Sequence, residues 1–253
     1  STSRANFAPC AFDFLDKSVK GRKIGVPTEL IDKADNEVKA QVINAVKAFE
    51  ALGCEVEFFS MPVLETALPA YYVIACAEAS SNLGRYDGVR YGNSVEHFES
   101  IHQMICKTRG RLFGDEVKKR IMLGTFVLSE GYYDKYYAKA QALRLKLKAE
   151  YEKIFEKFDA LITPTTPKTA FKLGEVQENK EGSFNADLCT VSANLAGLPA
   201  VNVPCGKDSQ GLPVGLQIIG DKFKESLILN LANKYEEARG EFELKDMGVR
   251  LGV

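Results

Sequence analysis

Six cysteines and two histidines are the side chains in this sequence best suited to nucleophilic or metal chemistry. The thiols are Cys10, Cys54, Cys76, Cys106, Cys189 and Cys205, and no two form a C-x-x-C pair. Each lies among apolar or small residues, so they read as free, mostly buried thiols of a reducing compartment rather than a disulfide framework. A nucleophilic cysteine needs a base to form its thiolate, and His97 and His102 both fall in one polar, helix-like stretch. A Cys–His site is therefore not expected. Five positions apart on a helix, the two imidazoles face different ways, which leaves no metal site. There is no G-x-S-x-G elbow, P-loop, dinucleotide glycine fingerprint or H-E-x-x-H motif. Gly182-Ser183 comes nearest to a Gly/Ser-rich nucleophile segment, and no further glycines support it. Residue types and spacing single out no nucleophile.

The elements that would position a site follow from periodicity. Residues 22–27 read as a strand stopped by Pro27. Asp35 and Asn36 offer N-caps for a helix whose Val38, Val42, Ala45, Val46, Phe49 and Leu52 share one face, with Gly53 as its stop. Cys54 to Met61 alternates as a second strand, completing a βαβ pattern and an α/β layer. Helices are predicted over 64–85, 94–109, 114–129 and 131–157. In the last, Tyr133, Tyr136, Tyr137, Ala140, Leu143, Leu147, Tyr151, Ile154 and Phe155 form a stripe that reads as core. Asp159 to Thr163 reads as a buried strand and 172–186 as a polar loop. A helix over 187–196, strands at 200–204 and 214–219 and a helix over 222–239 complete the chain. No repeat or linker is evident, so residues 1–253 are expected to form a single α/β domain.

Composition narrows the function. With 33 Lys and Arg against 34 Asp and Glu, the formal charge is -1, without the basic surplus of a stand-alone nucleic-acid binder. The longest stretch free of strongly polar residues, Ala67 to Ala77, falls far short of the ~20 residues that cross a bilayer. No membrane association is expected. The N-terminal Ser-Thr-Ser-Arg-Ala-Asn lacks both an apolar signal core and an initiator Met. Ser1 is therefore expected to lie inside a longer protein.

Three stretches are more specific. They are Leu68–Tyr72 with Glu78–Gly92, Phe113–Gly124 running on to Ser129–Tyr133, and Asn194–Gly206 with Gly211–Gly220. The third, with Asp159-Ala-Leu-Ile-Thr-Pro-Thr-Thr-Pro167, resembles the C-terminal half of the amidase signature family. The first two resemble, more narrowly, the glutaminase (A) subunits of tRNA-dependent amidotransferases. The resemblance runs from Ser1 to about Glu237. It implies an α/β amidase-signature core, a mixed β-sheet flanked by helices, of which this chain holds the C-terminal portion.

By the same resemblance, the function is glutamine hydrolysis that supplies ammonia to convert Glu-tRNA(Gln) to Gln-tRNA(Gln), and often Asp-tRNA(Asn) to Asn-tRNA(Asn). The implied setting is a cytoplasmic heterotrimer with B and C subunits, in which a partner holds the tRNA and uses ATP and Mg2+. This chain itself would carry no cofactor. The family's Ser-cis-Ser-Lys triad lies in a segment that would precede Ser1, so no catalytic residue is assigned here and the chain alone is expected to be inactive. Substrate-binding roles carry over to Tyr71 as a pocket wall, Arg120 for the glutamine α-carboxylate and Asp187 for its α-ammonium. Blander readings stand beside each: Arg120 as a solvated helix face, Asp187 as a plain N-cap and Tyr71 as core. Lys119, Ser192 and Thr166 depart from residues common in the family, which bears on the pocket's edges. The alternatives are a different amide hydrolase of the same family and a non-catalytic scaffold. A neutral amide would give Arg120 and Asp187 nothing to bind.

Overall fold

A computed structural model describes residues 15, 17–172, 174 and 186–243. The chain divides into two compact units, residues 1–68 with 146–253, and residues 69–145. The sequence suggests one undivided domain because no linker marks the division, which falls inside two helices where no change of composition can be read.

The first unit is built on a five-stranded mixed sheet. Strand β1 (Lys23–Pro27) leads into a short helix α1 (Thr28–Asp32), then α2 (Asn36–Ala51) and β2 (Glu55–Phe59). A 3-10 turn (Pro62–Thr66) and helix α3 (Ala67–Leu83) follow. Strand β1 pairs parallel with β2, as the βαβ pattern requires, and parallel with β3 (Ala160–Pro164). Helix α7 (Val191–Ala196) precedes β4 (Ala200–Lys207), β5 (Pro213–Gly220) and the closing helix α8 (Glu225–Arg239). The two late strands pair antiparallel, β5 inserts antiparallel beside β3, and the order becomes β2-β1-β3-β5-β4.

One face of this sheet is apolar. Val38, Val42, Val46 and Phe49 of α2 bury with Ile24, Val26, Ile162, Leu216, Ile218 and, from α8, Leu231 and Tyr235. Phe49 stacks on Tyr235 at 5.2 Å. The predicted face of α2 is thus the observed one. Strand alternation sends Leu161, Thr163, Gln217 and Asn202 away from that face. Tyr151, from the end of α6 (Ala138–Phe155), is buried and donates its hydroxyl to Ser192 at 2.8 Å.

The second unit contains most of α3, then α4 (Ile101–Leu112), α5 (Asp115–Leu128) and one π-helical turn (Tyr133–Tyr137) that opens into α6. Three expectations are corrected here. The helix predicted over 94–109 begins only at Ile101, where the Ser100 hydroxyl accepts from the Gln103 amide as N-cap. The aromatic stripe is core only in its second half: Tyr151, Leu147 and Ala140 are buried, whereas Tyr133 is 46% exposed and Tyr136 38%. Tyr133 and Tyr136 lie within the π-turn, whose wider winding carries them off the face that the later positions occupy. Cys106 is exposed, unlike the buried Cys54, Cys76, Cys189 and Cys205. It sits one turn after His102, its sulfur 3.6 Å from Nε2. Cys10 lies outside the described residues.

Candidate functional site

Helices α3 and α5 bring two of the three candidate residues together. On α3, Tyr71 is half-buried, with its ring edge-on to Tyr72 at 5.3 Å. Gly114 caps α5, and Asp115 and Glu116 in its first turn complement the positive end of the helix. Arg120, one turn on, donates from Nε to Glu116 Oε1 at 3.1 Å. That bond dominates in raising the guanidinium's pKa; partial burial opposes it, and the Glu116 charge, Tyr71 and Cys76 add to it. The Arg120 side chain is 37% exposed. The solvated-face reading is therefore partly right, yet Tyr71 lies within electrostatic reach of the same guanidinium.

The pairing depends on how closely the two helices meet. A Cβ on Gly124 would overlap the Cys76 carbonyl oxygen, so only glycine admits the contact. Next to Gly124 on α5, Thr125 spends its hydroxyl proton on the Ile121 carbonyl at 2.9 Å, leaving its oxygen to accept from Ser80 at 3.0 Å. Tyr71 beside Arg120, Cys76 beside Gly124 and Ser80 beside Thr125 make one register down the two helices.

Asp187 belongs to the other unit. It stands in a turn over 186–190 rather than in a helix, since α7 begins at Val191 with Thr190 as its N-cap. The plain N-cap reading of Asp187 is corrected accordingly. Its backbone carbonyl closes the turn by accepting from the Thr190 and Val191 amides, each at 3.1 Å. Leu188 and Cys189 are buried while Asp187 is half-buried. Its carboxylate has no hydrogen-bond or ion-pair partner among the described residues. Helix α7 ends at Gly197 in the left-handed region, φ 72°, as the Gly-Leu-Pro turn leads one to expect.

The amidase family profile matches residues 3–229. The chain belongs to the amidase family. Among curated relatives, this amidase chain is 54% identical over 226 residues to the A subunit of the glutamyl-tRNA(Gln) amidotransferase of Halothermothrix orenii, covering 89% of this chain and 47% of that protein. It is 48% identical over 250 residues to the protein of that name from Caldanaerobacter subterraneus, covering 98% of this chain and 51% of the relative. The chain thus spans about half the length of the curated relatives it matches. The crystal structure of the corresponding glutamyl-tRNA(Gln) amidotransferase A chain from Thermotoga maritima superimposes with a TM-score of 0.67 at 37% identity, covering 88% of this chain and 44% of that one. A bacterial aryl acylamidase, 19% identical with a TM-score of 0.68, shares the amidase fold over 90% of this chain and 46% of its own.

A polar row on the sheet escaped the sequence reading. Thr163 and Gln217 are register partners across β3 and β5, and Gln217 pairs in turn with Asn202 on β4. Gln217 Nε2 donates to Thr163 Oγ1 at 2.9 Å and to the Cys189 carbonyl at 2.8 Å, and Thr165 donates its hydroxyl to Asn202. A Gln inside an apolar strand gives the only sequence signal. A hollow of about 850 Å3 beside Ser94, His97, Lys107 and Arg111 involves none of Tyr71, Arg120 and Asp187. Among the described residues, no three His, Cys, Asp or Glu side chains group as metal ligands. No helix there is long and apolar enough to cross a membrane.

Proposed function

We propose that this amidase chain serves as part of the glutamine-hydrolysing component, the A subunit, of a tRNA-dependent amidotransferase. The observation that carries the reading is identity of 48–54% along most of the chain with proteins of that name. In this reading, B and C subunits complete a cytoplasmic heterotrimer. A partner holds Glu-tRNA(Gln) and uses ATP and Mg2+ to activate its carboxylate, and ammonia released from glutamine completes the amidation.

The residues described above would read the glutamine. Arg120 suits the α-carboxylate because a guanidinium donates two parallel hydrogen bonds, and Glu116 already orients its Nε edge. Tyr71 forms an adjacent wall. Asp187, a carboxylate without a partner among the described residues, suits the α-ammonium. A neutral amide substrate would leave both charges idle, which favours an amino-acid substrate over other amidase chemistry.

The test uses the full-length protein in complex with its partners. Arg120→Lys keeps the charge and loses the two-pronged donor. A charged hydrogen bond contributes roughly 1.5–3 kcal/mol, so kcat/KM for glutamine should fall about 10- to 100-fold. Ammonia supplied directly bypasses glutamine binding, and ammonia-dependent amidation should stay near normal. Equal loss of both activities would make Arg120 a structural or subunit-contact residue.

A further inference from the structure

Among the described residues, the sheet reaches the turn carrying Asp187 with one side-chain hydrogen bond, from Gln217. Gln217 is 5% exposed, in the middle of β5, on the sheet face opposite the apolar core. A buried amide is costly unless its donors are met, and both Nε2 protons are: one by Thr163 Oγ1 on β3, the other by the Cys189 carbonyl. Cys189 lies two residues after Asp187, inside the turn that the Asp187 carbonyl closes. The chain is therefore fixed by its own turn hydrogen bonds, by Asn194 Nδ2 of α7 donating to the Thr190 carbonyl at 3.0 Å, and by the bond from the sheet. Register gives the reason for a Gln here. Thr163 stands directly opposite on β3, and an amide can bond sideways to that hydroxyl and outward to the turn at once.

We infer that Gln217 is a positioning residue: it ties the 186–190 turn to the sheet and so fixes where the Asp187 carboxylate stands to receive the substrate ammonium. This rests on the proposed role of Asp187. The alternatives at 217 fail for physical reasons. Met fills a similar volume but donates nothing, leaving the Cys189 carbonyl buried without this bond. Glu replaces the donor with a carboxylate that faces the same carbonyl oxygen.

The experiment uses the full-length protein in complex with its partners and compares Gln217→Met, Thr163→Val and Asp187→Asn. Gln217→Met should raise KM for glutamine about three- to tenfold, leave kcat within about twofold and spare ammonia-dependent amidation. Thr163→Val removes only the anchor on β3, and should shift KM the same way by a smaller factor. Hydrogen exchange of the Thr190 and Val191 amides, which report the turn itself, should quicken in both variants. Unchanged exchange overturns the tether, whatever Asp187 does. If Gln217→Met fails to assemble, Thr163→Val decides: quicker exchange with raised KM supports the inference, and unchanged values overturn it. Quicker exchange with normal glutamine KM in Gln217→Met and in Asp187→Asn overturns the positioning role by removing Asp187 from glutamine recognition. Normal KM in Gln217→Met beside a raised KM in Asp187→Asn overturns the inference and spares the reading of Asp187.

Discussion

Arg120 and Glu116 show how magnitudes separate a binding group from its support. Both partners are more than a third exposed, and such pairs contribute only about 0.2–1 kcal/mol. Glu116→Gln should therefore change kcat/KM for glutamine by less than about fivefold in the assembled enzyme, far less than Arg120→Lys. A larger effect would assign Glu116 a contact of its own with the substrate. The thiols divide as sharply. Burial pushes Cys54 up to about 11, and Cys189 and Cys205 up to about 12, so they stay protonated at neutral pH. Cys106 is exposed. In a Cys10→Ser background, a thiol-specific reagent at pH 8 should modify Cys106 first and reach the buried thiols only on unfolding. Mass spectrometry of the modified peptides checks this. The raised values also set an alkaline limit, since each group is more acidic unfolded than folded. Buried Tyr151 and Tyr235, both pushed up to about 12, act in the same direction. The stability from these groups is complete below their unfolded values near 9 and 10, and is lost as pH climbs towards 12.

Helices and strands were legible wherever one period ran long enough. The α2 face was readable because five of its apolar positions bury at helical spacing against one sheet. Helix α1, at five residues, is too short to show a period. The late start of α4 and the π-turn before α6 hang on a cap and a phase slip that apolar spacing does not encode. The polar row across β3, β5 and β4 was out of reach for a different reason. Gln217 meets Thr163 and Cys189 only through strand register and a turn, 54 and 28 positions away. Element packing gives its own test. Tyr151 donates to Ser192 inside the fold, so Ser192→Ala strands a buried phenol hydroxyl and should cost about 1–3 kcal/mol. Tyr151→Phe removes the buried donor itself and should cost about 0.5–1.5 kcal/mol, with the double variant close to the Phe single. Urea denaturation measures all three. Equal costs for the two singles would mean that the Ser192 hydroxyl needs the phenol as much as the phenol needs it.

At the scale of the molecule, the same sequence supports a recognisable amidase fold while leaving much apolar surface uncovered. Met122 is 73% exposed on α5, and Leu123, Phe126, Leu128, Tyr132 and Tyr136 are exposed beside it in sequence. Phe126 packs against Tyr132 at 4.3 Å and Tyr136 at 6.1 Å, which gathers three of these rings into one patch. A contiguous aromatic and aliphatic surface of this kind marks contact with further protein. The matched relatives contain about as much polypeptide again, so the 253 residues taken alone should show this surface to solvent. Two consequences can be measured on that polypeptide. With no Gly/Ser-rich nucleophile segment among its residues, it should release no ammonia from glutamine above a buffer blank; release abolished by replacing a serine within the chain would reverse that expectation. It should also bind an environment-sensitive hydrophobic dye and self-associate at micromolar concentration. Phe126→Ser with Met122→Lys should reduce both, because each replaces apolar area by a hydrated group without touching the buried core. A monomeric wild-type chain without dye fluorescence would show that these side chains find cover within the 253 residues themselves.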